Sequence, residues 1–331
     1  MVLPARLVKG FRTGPVSTLR SVLRSPLLRV AGSALGVLLL LRTADLRGAL
    51  HDARVASPGW LAAGLALTVL SFAAGVVQWG VLLRCKPALV SWRSVTSWQA
   101  QSVFAGHVLP TGAAGDAVRA VHACRAAGND TGIGSIVGSR LASSLGMALW
   151  GLAGAVVLRG VFGPPVLAAA AAYAASVGVA WILVLTTARP SARSRRGRGA
   201  RIIASLRDGC HAIRHRTGPI IVCVVVALAG WGVQLLALGA FARALGAGVP
   251  PTLFAVALPV SLVATWSPAS VNGVGLREGL MAGVLVHAGV SPDHAGAVSL
   301  VIDLQMLPIA LAGALAWMAA RRRSATGGPL G

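Results

Sequence analysis

Acidic side chains are scarce in this chain: eight Asp and Glu stand against thirty Lys and Arg. Charged residues of either sign make up only 11% of it, too few to solvate the surface of a soluble globular protein. Cysteine is sparse as well. Cys85, Cys124, Cys210 and Cys223 stand in no C-x-x-C or metal-ligand spacing, so no disulfide framework or zinc cluster is expected. H-E-x-x-H, a Walker loop and a legible nucleophile–base pair are all missing, so the metalloprotease, nucleotide-driven pump and hydrolase readings lose their support. Neither enzyme activity nor a cofactor is expected. No secretory cleavage pattern follows the apolar run Val30–Leu41, which ends at Arg42, so that run is expected to stay as a first helix.

What the chain has in abundance is apolar sequence, 56% of its residues. Several runs approach or exceed the roughly 20 residues that span a bilayer, which makes this an all-α polytopic membrane protein. The net charge of +22 would suggest nucleic acid in a soluble chain, but it is gathered in four patches. Residues 1–29 hold six basic side chains and no acid; segments 84–93 and 189–216 and the tail Arg321-Arg322-Arg323 carry most of the rest. Patches without interleaved aromatics, beside apolar runs, fit the positive-inside rule and anionic lipid head groups, not nucleic acid. They place both termini on the cytosolic side of the membrane.

The expected architecture is about six full transmembrane helices plus two re-entrant helical segments in an inverted repeat. A basic tail, 1–26, precedes a first membrane repeat over 27–158. A second repeat covers 163–320 and includes the basic cytosolic loop 188–217; the tail 321–331 follows. Full helices are expected near 27–41, 58–83, 132–158, 164–187, 218–245 and 294–320. If the loops at 84–93 and 188–217 share a side, residues 94–131 must leave and return on that side, and 252–293 must do the same on the other. The runs 94–109 and 252–266 are short for full spans, so 94–124 and 252–289 read as re-entrant, although 252–289 is also apolar enough to cross twice. Each has Pro followed five residues later by Gly, Pro110 to Gly115 and Pro268 to Gly273, and then an acid and an Arg. Broken helices meeting in an inverted repeat are a recurrent transporter plan.

Charge inside the membrane marks the candidate site. Asp116 and Arg119 are three apart on a helix starting near Gly115, where free N–H groups favour an anion. The plainer reading is a capping Asp116 paired with Arg119 and no ligand. Arg140 lies well inside a helix and needs a partner; Asp303, at comparable depth in the last helix, is expected either to approach it or to share a hydrated cavity with it near the midplane. Gly273, Gly275, Arg277 and Glu278 form the matching cluster in the second half. His107, beside the first break, either lines a cavity or is a satisfied structural histidine. The tryptophans read as interface anchors or packing.

At these residues the chain resembles the transmembrane region of the lysylphosphatidylglycerol synthase/flippase family. The likeness is carried by Pro110…Gly115-Asp116-Ala-Val-Arg119, by Arg140, and by Gly273-Val-Gly275-Leu-Arg277-Glu278, and extends over about 27–320. Asp116 stands where the family more usually has Glu, and Asp303 where an Arg is expected. The soluble aminoacyl-transferase domain of some members has no counterpart here. The resemblance therefore implies movement of an anionic phospholipid or a polyprenyl-phosphate-linked substrate rather than lysine transfer. Membrane lipids are the expected partners, with an envelope glycosyltransferase or lipid-synthesis partner, or a second copy of the chain, as further ones. An accessory role beside a membrane glycosyltransferase is the alternative. A membrane-embedded polyprenyl diphosphate phosphatase is the more distant one, because its E-x-x-x-E and P-G-x-S-R-S patterns are absent.

Overall fold

The computed structural model describes residues 57–84, 90–108, 114–187, 208–211, 217–263 and 275–325. Within them every regular element is a helix. In chain order these are α1 (Pro58–Leu83), α2 (Trp92–Val108), α3 (Ala114–Ala127), α4 (Asn129–Val157), α5 (Arg159–Thr187), α6 (Thr217–Ala244), α7 (Pro251–Val263), α8 (Leu276–His287), α9 (Pro292–Leu304) and α10 (Leu307–Ala325). The first expected helix, 27–41, lies outside the described residues, as does most of the basic sequence.

Four described helices, α1, α4, α5 and α6, are long and apolar enough to cross a bilayer. The expected sixth span, 294–320, is not one helix. It breaks at Gln305–Met306 into α9 and α10. The cause is local: Pro308 has no N–H to give the carbonyl of Leu304, and its ring would collide with that carbonyl. Hydrogen bonding resumes with Ala310 N–H to the Met306 carbonyl. At Gly163 the chain turns with φ 71°, a left-handed conformation that glycine adopts without strain. Pro164 and Pro165 then start the long part of α5 where no N–H is needed.

α1 and α6 form the central antiparallel pair. Ser57 N–H donates to the Ala244 carbonyl at one end, and Ser71 Oγ donates to the Gly230 carbonyl at 3.2 Å further along. Gly64 admits the ring of Phe241 between them. α4 lies across this pair and is fixed by polar side chains that spend their hydrogen bonds on backbone. Gln78 Nε2 donates to the Ser139 carbonyl at 2.6 Å, and Trp231 and Trp150 indoles donate to the carbonyls of Ser143 and Leu228, both at 2.9 Å. Indoles and amides inside a lipid-embedded bundle must find such partners, because nothing outside can satisfy them. These tryptophans are packing elements rather than interface anchors.

α2 and α3 fold back on each other as an antiparallel hairpin. Trp98 stacks on His122 (5.1 Å between rings), and Gly115 lets α3 approach the Ser102 carbonyl, which a Cβ would meet at 2.8 Å. α3 in turn packs on α4. In the second half α7 packs on α8 and α8 on α9, around a core of Phe254, Leu238, Met281 and Leu285. The halves also exchange contacts: α7 seats on Gly151 and Gly154 of α4, while α10 seats on α2, with Gly313 against the Ala100 carbonyl. The helices α2, α3, α7 and α8 have 17, 14, 13 and 12 residues. At 1.5 Å per residue they reach about 18–26 Å, short of the roughly 30 Å hydrocarbon core.

Candidate functional site

The charged residues singled out around 116–140 come together at the α3–α4 crossing. That crossing is close because Gly132 has no side chain; a Cβ there would sit 2.7 Å from the Cys124 nitrogen. Asp116, in the first turn of α3, is shared by two arginines. Its Oδ2 lies 2.7 Å from Arg140 Nε, and its Oδ1 lies 3.4 Å from Arg119 Nη1.

The two arginines have opposite surroundings. Arg119 is 7% exposed and turned inward. Its Nη2 donates to Ser139 Oγ at 2.9 Å, and its guanidinium lies 4.4 Å from the ring centre of Trp79. Trp79 is itself fully buried and hydrogen-bonded to Ser135 Oγ. A desolvated guanidinium over an indole gains about 2 kcal/mol from the ring quadrupole, which helps to hold this charge away from solvent. Arg140 keeps 58% of its side chain exposed. Two guanidinium groups around one carboxylate leave the cluster net positive, with the excess presented by Arg140.

Arg140 therefore has a carboxylate partner in Asp116. Its expected approach to Asp303 is not on view, because the Asp303 side chain lies outside the described residues, as do Pro110 and Gly273. Gly275 and Glu278 are described, and their geometry is that of a helix cap. Gly275 has φ 82° and its N–H donates to Glu278 Oε2 at 2.6 Å. Glu278 is 5% exposed, so its carboxylate serves the start of α8 rather than facing outward. Gly115 likewise acts through close packing.

Arg277 differs from its neighbours. It lines a cavity of about 240 Å³ between the helices. Seven elements contribute to the wall: α1, α2, α4, α6, α7, α8 and the turn between α9 and α10. His107 is on this wall while its Nδ1 meets the Val103 carbonyl at 2.8 Å, so both expectations for it hold together. Its uncharged polar members include the amides Gln78, Gln234 and Gln305, the first two of which sequence reasoning passed over. Gln305 Oε1 accepts from Thr68 Oγ1 at 3.0 Å and from Gln234 Nε2 at 3.1 Å, tying the helix break to α1 and α6. The signal was available: an uncharged amide within an apolar span is costly and calls for a partner.

Neither Asp116 nor Glu278 lines this cavity, yet the arginine cluster and the cavity are connected. The Ser139 hydroxyl holds Arg119, and the Ser139 carbonyl holds Gln78, which lines the cavity with Arg277. Arg119, Ser139 and Gln78 thus link the arginine cluster to the chamber, in part through the Ser139 backbone.

Over residues 27–313 the sequence matches the family model described as the lysylphosphatidylglycerol synthase TM region. No curated protein and no solved structure matches it.

Proposed function

The chain belongs to the lysylphosphatidylglycerol synthase TM-region family, and from that premise we propose that this integral membrane protein translocates an anionic phospholipid or polyprenyl-phosphate-linked lipid. The observation that carries the reading is the central cavity, walled by both halves of the chain and containing the Arg277 side chain. A cation and three amides in one wall make the cavity polar inside a lipid-embedded bundle, a setting suited to water or a polar ligand. Arg140 supports the same reading. It lies eleven residues along α4, about 17 Å from the helix start, and a guanidinium open to hydrocarbon at that depth would be strongly disfavoured. Water or head groups must therefore reach it.

The packing pattern supports an inverted repeat with two re-entrant hairpins. If α1, α2 and α3 correspond to α6, α7 and α8, and α4 to α9 with α10, the contacts pair off. α2 with α3 matches α7 with α8, α3 with α4 matches α8 with α9, and α4 with α7 matches α10 with α2. The correspondence leaves α1 and α6 as the central pair, beside which the cavity lies. In the mechanism we favour, head-group phosphate meets Arg140 first and Arg277 in the chamber. Arg119, held by Trp79 and Ser139, fixes Asp116 and through it Arg140. Acyl chains stay in lipid, and one half rocks against the other. The protein acts without catalysis in the bacterial cytoplasmic membrane, both termini in the cytosol.

Vesicles containing only the purified chain test this. Movement of a head-group-labelled anionic lipid across the bilayer, lost in Arg277→Gln, is the expected result. Release of phosphate would make it an enzyme, and neither outcome would assign it an accessory role.

A further inference from the structure

The correspondence between the halves leaves α5 without a described counterpart. α5 lies along α4, and its Trp181 indole donates to the Leu141 carbonyl at 3.2 Å. Its Tyr173, Val177 and Trp181 also join a core with Cys223 and Ala227 from the first half of α6. In the repeat, the same place is the side of α10 that faces the first half of α1. Among the described residues α10 packs along α2 and has no extended contact with α1. Away from α2 it carries an apolar stripe: Leu311 and Leu315, one turn apart, are 65% and 63% exposed, and Leu307 and Met318 continue it. Leu65 and Val69, in the first half of α1, are exposed as well. The stripe starts beside the chamber, whose wall includes Met306.

We infer that this face of α10 is the seat of the N-terminal apolar segment, residues 27–41, running antiparallel to α10 and to α1. The inference rests on the inverted-repeat reading and is independent of translocation. Chain length permits it: residues 42–56 join the segment to Ser57, whose N–H is tied to the Ala244 carbonyl, and they reach up to about 50 Å when extended. Lipid tails are as apolar as leucine, so close packing, not burial, decides what covers a membrane helix. Gly32-Ser-Ala-Leu-Gly36 is a G-x-x-x-G run, which leaves a shallow groove along one side of a membrane helix. Leu311 and Leu315 stand on α10 at the same four-residue spacing. Antiparallel, Gly36 meets Leu311 and Gly32 meets Leu315. That register brings Arg29 level with the last turns of α10, near the exposed Arg321 and Arg322, where it can snorkel to the basic cytosolic surface. The leucines 38–41 then lie toward Leu65 and Val69, and the docked segment covers that side of the chamber.

Photocrosslinking in intact membranes tests the seat, with a diazirine amino acid in place of Leu311 or of Leu315 in the full chain. Arg29 and Arg42 flank the segment, so trypsin releases Val30–Arg42 as one peptide. Both probes are expected to capture it. The site of attachment should move about four residues toward Val30 when the probe moves from Leu311 to Leu315, one turn in the antiparallel sense. Gly36→Leu, which fills the groove, should abolish the crosslink from Leu311. Capture of lipid or of another helix, a shift in the opposite sense, or no captured peptide at either position overturns the assignment. So does a light–heavy pair when isotope-labelled and unlabelled chains are co-expressed, because the occupant is then a second copy. The repeat is read separately, by impermeant maleimide applied from outside to Ser91→Cys, Asn129→Cys, Gly248→Cys and Ser291→Cys, scored site by site. Labelling of the last two alone supports re-entrant hairpins in opposite leaflets. Labelling that divides Ser91 from Asn129 removes the repeat reading, while the crosslinks still decide the seat.

Discussion

Replacing Asp116 by Asn separates the two arginines that share it. Distance alone would rank the Arg140 bridge first, at 2.7 Å against 3.4 Å for Arg119. Burial reverses the order. Arg140 is more than half exposed, and an exposed pair contributes about 0.2–1 kcal/mol. Arg119 is 7% exposed, and stripping the partner from a buried charge costs about 3–5 kcal/mol. Because 28% of the Asp116 side chain is open, the lower end applies. We expect Asp116→Asn to lose about 3 kcal/mol, Arg140→Gln less than about 1 kcal/mol, and Arg119→Met together with Asp116→Asn to recover at least about 1 kcal/mol of the loss. The assay is reversible unfolding in mixed micelles by detergent titration, followed by circular dichroism, for the four chains side by side. Should Arg140→Gln cost more than Asp116→Asn, or the double change recover none of the Asp116→Asn loss, burial does not govern this cluster and Arg119 is not its anchor.

Three further outcomes follow from the packing and capping. Gly154→Leu would drive a side chain into Ala255 and the Thr252 carbonyl, and overpacking of that kind should cost about 1–3 kcal/mol, seen as a lower unfolding temperature in detergent and weaker protection of α7 in hydrogen exchange. Glu278→Gln retains an acceptor for the Gly275 N–H and should cost under about 1 kcal/mol, whereas Glu278→Ala loses the cap and should cost about 1–2 kcal/mol; equal costs in the same titration would mean that the charge, not the cap, matters. Burial pushes the Cys210 thiol above its ordinary pKa, so less of it is thiolate at a given pH. Its maleimide labelling should therefore lag a free cysteine across the alkaline range and converge only as pH rises past the elevated value, a curve read by mass spectrometry on the intact protein.

Much of this architecture is written in local residues. Pro58 opens α1, Gly128 precedes α4, and the Gly163-Pro164-Pro165 turn divides α4 from the long part of α5, so a reading by apolar runs and breakers finds these within a few residues. α9 and α10 escaped it because Pro308 sits inside an apolar stretch whose mean hydropathy hides one break. The pairing of Asp116 with both Arg119 and Arg140 was half legible. The three-residue spacing announces Arg119, but the second partner depends on α3 folding back along α4, which no local pattern encodes. The chamber was legible in neither sense. Its amides lie 71 residues or more apart and acquire meaning only when α1, α6 and the α9–α10 turn converge.

That convergence explains why the break falls where it does. In hydrocarbon, a helix interruption frees backbone groups that must be covered, so a break tends to survive only beside protein or water. Here the interrupted turn lies on the chamber wall, and the side chain it carries, Gln305, collects donors from Thr68 on one central helix and Gln234 on the other. α4, the counterpart of α9 and α10 in the proposed repeat, runs unbroken and contributes Ser143 to the same wall. The two halves thus share packing partners but not polar chemistry. A chamber lined through such a repeat need not present the same face to each leaflet. The difference lies at Gln305, so a change that removes its amide, such as Gln305→Leu, should shift the half-saturation for lipid entering from the two leaflets unequally, measured as separate inward and outward concentration dependences in vesicles with the protein inserted one way round. An equal shift from both leaflets would locate the asymmetry elsewhere.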